Sequence, residues 1–263
     1  MANILIIGAG SMGTAFSFPC FDNGHSVTII GTHLENNFID QINLKRMHPT
    51  LKCEVPKNVK FLKFNKLGEE INKKVDLIAV AVISKGIEWA SIELSKVLKS
   101  NIPILILTKG LAINNNNYEV LAHKMERLLK KNGIKETNIS AAGGPCLAKG
   151  LANRVHTSVV FANIDINKVI SFSKLLSTDY YHIHVSNDVV GVEICAAIKN
   201  IFSMVIGASV ELCNNTISNQ LKEKNYLNTA AALLQQSIYE MIIFTEKQKG
   251  KRETVMGLAG IGD

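Results

Sequence analysis

The chain has 263 residues, of which 47% are hydrophobic and 19% charged, with 18 glycines and 5 prolines. That composition excludes a disordered tail, a collagen-like repeat and a low-complexity linker, and the length suffices for one large domain or two ordinary ones. Against 22 acidic residues stand 29 basic ones, a formal charge of +7, and aromatics make up only 6%; a small phosphorylated partner fits this balance better than nucleic acid, which lacks a stacking platform here.

Residues 4–7 are a continuous apolar run, as in a strand buried on both faces of a parallel sheet. The string GAGSMG follows at residues 8–13, then a helical segment, the turn Asn23-Gly24 and a second apolar strand at 27–30. Pro19 lies within the first helix and is expected to kink or shorten it. Residues 76–82 predict a buried strand, 86–98 an amphipathic helix and 103–107 another strand. A polar run at 114–117 reads as a loop, 118–131 as a helix with Val120, Leu121, Met125 and Leu128 on one side, and 138–142 and 157–161 as two further strands. From residue 191 strand signals stop, and helical patterns cover 191–212 and 226–248. The alternation predicts an α/β fold, a Rossmann-type doubly wound sheet over residues 1–188, followed by an all-helical substrate domain over 189–263.

G-x-G-x-x-G directly after a strand and opening a helix is a dinucleotide fingerprint. Gly8 permits the tight turn, Gly10 close approach of a pyrophosphate, and Gly13 close helix–strand packing. At the end of the second strand, where an acid usually holds the ribose hydroxyls, the chain reads Gly31-Thr32-His33 and has no acid before Glu35. This favours NADP(H), with NAD(H) also open: Thr32 offers a hydrogen bond to a 2′-phosphate and protonated His33 a charge.

Ligands of open α/β sheets bind beyond the carboxyl ends of the strands. Lys109, in Thr108-Lys109-Gly110, follows the strand ending at Leu107, and Gly143-Gly144-Pro145-Cys146 follows the strand ending at Ala142. Lys199 is the only charge in residues 194–206 of a largely apolar helix. A buried ammonium must find partners or lower its pKa, and either suits a general acid or base. His182 and His184 share a strand face without a nearby Cys, Asp or Glu at ligand spacing, so no metal is expected. The cysteines Cys20, Cys53, Cys146, Cys195 and Cys213 show no C-x-x-C spacing and read as reduced thiols of a cytoplasmic protein. No secretory signal opens the sequence, and no uninterrupted apolar run approaches the ~20 residues of a membrane helix, so membrane insertion is not expected.

Six blocks together resemble the bacterial NAD(P)-dependent glycerol-3-phosphate dehydrogenases: GAGSMGTA (8–15), NGHSVTIIG (23–31), LTKGLA (107–112), GGPCLA (143–148), STDYYHIHVSNDVVGVEICAAIKN (177–200) and GLAGIGD (257–263). The resemblance implies that Ser11, Met12, Thr32 and His33 border the cofactor with Lys109 and Ala148. Lys109, Gly144 and Cys146 would line the substrate, and Lys199 would exchange the proton between glycerol 3-phosphate and dihydroxyacetone phosphate. Asn200 and Asp263 would hold the substrate hydroxyls and Lys199. The implied role is to feed phospholipid synthesis, and a homodimer is compatible with the resemblance.

Departures from the family are Cys146 where serine is usual, Ile83 in place of proline, Lys149 in place of an acid, and a segment at 213–231 without the usual glycines and with Ala230 for lysine. Family members also continue past the position of Asp263 with an S-R-N-R segment whose arginine meets the substrate phosphate. The expectation is therefore a chain lacking the family's C-terminal part, with apolar helical surface left uncovered. Two alternatives stay open: a catalytically impaired homologue that only binds a dinucleotide, and a related reductase of a small keto acid.

Overall fold

The computed structural model describes residues 1–99, 101–216 and 227–263. The apolar runs become the central strands. β1 (Asn3–Ile7), α1 (Ser11–Asp22) and β2 (Ser26–Ile30) form the opening β-α-β unit. A polar stretch then folds as α2 (Asn36–Lys45), the short β3 (Met47–His48), β4 (Cys53–Glu54) and β5 (Lys60–Leu62), and α3 (Leu67–Ile71). β6 (Leu77–Val80), α4 (Gly86–Val97) and β7 (Ile104–Ile106) continue the alternation. Next come the hairpin β8 (Leu111–Asn114) and β9 (Asn117–Val120), α5 (Leu121–Lys131) and β10 (Ile139–Gly143). They are followed by α6 (Ala148–Ala152), β11 (Thr157–Ala162), α7 (Ile166–Leu176) and β12 (Tyr181–Ser186). The chain then runs through α8 (Val189–Thr216), α9 (Asn228–Lys247) and α10 (Arg252–Met256).

Eight strands make one sheet in the order β12-β11-β10-β7-β6-β1-β2-β5. Alternate residues of β1 feed two cores: Ile4 and Ile6 pack with Phe16, Ile29 and Phe161 on one face, Leu5 and Ile7 with Ile30, Val80 and Met125 on the other. Burial on both faces is why residues 4–7 of β1 are apolar without a break. The doubly wound α/β expectation holds, with one qualification. β11 runs antiparallel to β10, whereas β7, β6, β1, β2 and β5 are parallel.

Four local expectations are corrected. α1 is not shortened at Pro19 but continues to Asp22; the proline forfeits its own bond to the Ala15 carbonyl, and the helix end is still held by the Asn23 N–H on the Pro19 carbonyl at 3.1 Å. The run at 114–117 is the turn of a β-hairpin rather than a loop, because Asn115 and Asn116 take left-handed φ of 49° and 60°, the conformation of a two-residue hairpin turn. The following helix therefore starts at Leu121, not residue 118. Finally, Val189–Leu212 in α8 is long and apolar enough, by composition, to cross a membrane. The sequence reading missed this because Glu193 and Lys199 interrupt the run. In the fold this helix packs Val189, Val192 and Cys195 into the second core with Met241 and Ile242 of α9.

Asp188 joins the sheet to the helices. Its Oδ1 accepts from the Gly191 N–H at 2.9 Å, and its Oδ2 accepts from the Lys251 N–H at 2.8 Å and the Thr254 hydroxyl at 2.6 Å. One buried carboxylate thus holds the start of α8 against α10. Ile201, Met204 and Leu212 on α8 and Tyr239 and Ile243 on α9 stand exposed. The departures at 217–226, and Tyr226 as the start of the last long helix, lie outside the described residues.

Candidate active site

Ile7, Val80 and Ile106 lie side by side in register at the ends of β1, β6 and β7, so the loops after them share one edge of the sheet. The first of these loops is the glycine turn. Gly8 has φ +104°, and a Cβ there would lie 2.8 Å from the Ala81 carbonyl oxygen. At Gly13 an added Cβ would lie 2.1 Å from the Gly8 carbonyl oxygen, so α1 seats directly on the turn. Gly10 is different: nothing lies within 4 Å of an added Cβ. α1 starts after Gly10 with no side-chain cap and no acid in its first turn, leaving its N–H groups available to an anion.

A cavity of about 410 Å³ opens here, lined by Gly8, Gly10, Thr32, His33, Glu35 and Trp89 among others. Ser11 and Met12, the first residues of α1, are half-buried; His33 is exposed, its ring 5.1 Å from that of Trp89. The unhindered Gly10 and uncapped helix start fit the pyrophosphate of a dinucleotide.

A second cluster forms at the same edge. The Thr108 hydroxyl donates to the Val82 carbonyl at 2.6 Å, and Gly110 takes φ +146° with Ser84 Cβ 3.0 Å from an added Cβ; between them Lys109 is fixed. Its Nζ lies 3.4 Å from both the Gly144 carbonyl oxygen and Asp263 Oδ2. The Lys199 ammonium donates to Asp263 Oδ1. Gly144 has φ +102°, and Gly143 lets α8 approach β10, since a Cβ there would fall 2.7 Å from Val192 Cγ1. Gly260 and Gly262 form the tight turns after α10 that deliver Asp263, whose side chain is only 3% exposed.

Three residues far apart in the chain thus share two cations and one carboxylate. Burial pushes Lys109 below the ordinary lysine range; Asp263 opposes the shift and Lys199 adds to it. Cys146 belongs to the same neighbourhood: burial pushes its thiol up to about 11, against the pull of Lys109. A cavity of about 230 Å³ beside the trio is lined by Lys199, Asp263, Phe202, Ser203 and Met241 among others. Ala148 begins α6 and packs against the first core, whereas Asn200 is exposed on α8, beyond Lys199. His182 is exposed on β12 and stacks on His156; among the described residues no group of three metal-ligating side chains occurs. Cys20, Cys53, Cys146 and Cys195 are free thiols. A larger cleft of about 740 Å³ between the β8–β9 hairpin and the helices contains none of the expected site residues.

Sequence reasoning passed over Glu35. Its Oε2 accepts from the Thr32 N–H at 2.6 Å and the Ala9 N–H at 3.2 Å, so an acid does stand beside the glycine turn. The sequence signal was present but discounted, because the residue lies beyond the usual place at the strand end.

The NAD-dependent glycerol-3-phosphate dehydrogenase N-terminus matches residues 3–169, and the C-terminus of the same family matches 188–263. The chain belongs to this family. It is 29% identical to an NADP(+)-dependent glycerol-3-phosphate dehydrogenase of Archaeoglobus fulgidus, over 99% of this chain and 74% of that one. To a glycerol-3-phosphate dehydrogenase [NAD(P)+] of Exiguobacterium it is 28% identical, over 100% of this chain and 72% of the relative. The glycerol-3-phosphate dehydrogenase crystal structure from Coxiella burnetii shares the fold, with a TM-score of 0.80 at 23% identity over 100% of this chain and 74% of that one.

Proposed function

We propose that the chain interconverts dihydroxyacetone phosphate and sn-glycerol 3-phosphate with NAD(H) or NADP(H), supplying glycerophospholipid synthesis in the cytoplasm. The observation that carries this reading is the convergence of Lys109 and Lys199 on Asp263 at the sheet edge that also holds the glycine turn. The nicotinamide, when bound, supplies or accepts the hydride at C2 of the substrate.

The chain's own residues do the rest. Gly8, Gly10, Gly13, Ser11 and Met12 form the phosphate end of the dinucleotide site, bordered by Thr32, His33 and Ala148. Lys109, Gly144 and Cys146 line the substrate, and the surplus positive charge of the lysine pair favours a phosphorylated one. In reduction the Lys199 ammonium stabilises the developing alkoxide at C2 and donates a proton to it; in oxidation the amine accepts the hydroxyl proton. Asp263 holds Lys199 in place, and Asn200, at the next position, serves the substrate hydroxyls. We assign residues 1–188 to the dinucleotide domain and 189–263 to the helical catalytic domain.

The test is dihydroxyacetone-phosphate-dependent oxidation of NADH and NADPH by the purified protein. Turnover of the phosphorylated ketone, outcompeting carboxylate ketones, supports the reading. Turnover of small keto acids alone replaces it with the related-reductase alternative.

A further inference from the structure

We propose that Glu35 reads the adenosine ribose of the dinucleotide and selects NAD(H) over NADP(H). Glu35 precedes α2, and its carbonyl accepts from the Ile39 N–H at 2.9 Å, but its side chain makes no capping bond to that helix. Its side chain turns back, and Oε2 takes the N–H of Thr32 at 2.6 Å and of Ala9 at 3.2 Å. A single carboxylate oxygen therefore ties the turn after β2 to the turn after β1, and Glu35 forms part of the wall of the 410 Å³ cavity.

The residues just past β2 carry no acid. At Gly31 an added Cβ would lie 2.7 Å from Ile39 Cγ1, so a side chain there would have to displace Ile39. The charge is instead supplied from four residues further on, through space. Oε1 takes no hydrogen bond from the described residues and remains an acceptor for a ribose hydroxyl. A 2′-phosphate at the same place would meet a carboxylate, and like charges in a partly buried site repel. Among the described residues no arginine lines the cavity, and Lys85 is its only lysine. The His33 ring lies against Trp89, which ties it to that side of the pocket. The expectation of an NADP(H) preference rested on a missing acid, and the fold restores that acid.

The inference rests on the dinucleotide reading of this cavity, and direct binding separates the two. Trp89 is the only tryptophan and lines the cavity, so its fluorescence reports NADH and NADPH binding without substrate. The expected result is at least tenfold tighter binding of NADH. Glu35→Gln keeps an acceptor oxygen for the two N–H groups but removes the charge, and it should narrow the ratio at least tenfold, with NADPH gaining. Equal or tighter NADPH binding by the unmodified protein overturns the proposal without any variant. A Gln variant that weakens both dinucleotides by one factor also overturns it, since Glu35 then only pins the loops. Failure of both dinucleotides to bind removes the dinucleotide reading itself.

Discussion

Replacing Lys199 by methionine tests the chemistry most directly, because methionine keeps an apolar stem of similar length on α8 and removes only the charge and the proton. Two contributions disappear together. General acid–base catalysis is worth about 10²–10⁴ in rate, and a fixed cation at a developing oxyanion about 10²–10³. Both come from one ammonium and are not independent, so a fall in kcat of at least about 10³ is expected. The structural cost should be smaller. Stranding a buried carboxylate outright costs about 3–5 kcal/mol, but Asp263 retains Lys109 at 3.4 Å, and about 1–3 kcal/mol is expected instead. Steady-state dinucleotide oxidation gives kcat and KM, Trp89 fluorescence gives cofactor affinity, and thermal melting gives the stability change. Folded protein with normal dinucleotide affinity and lost turnover supports the role. A kcat within tenfold of the unmodified protein would refute it, whatever the melting temperature.

The glycine turn offers a paired test: Gly10→Val meets open space and should leave melting unchanged while dinucleotide affinity falls at least about tenfold. Gly13→Ala places a Cβ against the Gly8 carbonyl and should lower stability by about 1–3 kcal/mol; equal melting of the two variants would contradict the packing described. Glu193 is buried with Oε2 accepting from the Ala122 N–H at 3.0 Å, and burial raises its carboxyl from 4.5 to about 8. The native state holds a proton that the unfolded chain releases, so this contribution, on the order of 5 kcal/mol at most, is full below pH 4.5 and lost as pH rises to 8. Glu193→Gln should flatten that slope in denaturant titrations at several pH values, and an unchanged slope would assign it elsewhere. The Cys146 thiol, raised from 9.0 to about 11, should alkylate about 100-fold more slowly than a free cysteine at pH 8; peptide mass spectrometry after timed iodoacetamide treatment checks this.

Legibility followed the range of the physics. β1, β2, β6 and β7 are buried on both faces, so nearly every residue of each strand declares its environment, and α8 and α9 announce themselves by length. The stretch carrying α2 to α3 is mostly polar, with strands of two or three residues, too short for any period to show. The β8–β9 hairpin was hidden because Asn115-Asn116 looks like any polar loop, and Val120 blends into the periodicity of α5. Among site residues, Lys109 and Lys199 were legible because a lysine at a strand end, or alone on an apolar helix, is anomalous in its local context. Asp263 entered only through the family resemblance, and Glu35 was set aside. Both matter through contacts with distant segments, which no local pattern records.

The same distinction explains how little of the +7 charge concerns function. Lys63–Asp40, Lys66–Glu69 and Lys130–Glu126 are exposed pairs, worth at most about 1 kcal/mol each. Lys109 and Lys199 instead share a carboxylate 3% exposed, each taking a different oxygen of Asp263. That division has a chemical consequence in the proposed reaction. When Lys199 gives its proton to the alkoxide it becomes neutral, and a carboxylate paired with it alone would be left buried and unbalanced, resisting the transfer. With Lys109 on the second oxygen, two cations face Asp263 and the alkoxide before the transfer, and Lys109 faces Asp263 after it, so the charges balance on both sides of the step. In the proposed reaction Lys109 would therefore serve two ends, drawing the phosphorylated substrate and keeping Asp263 balanced while Lys199 is deprotonated.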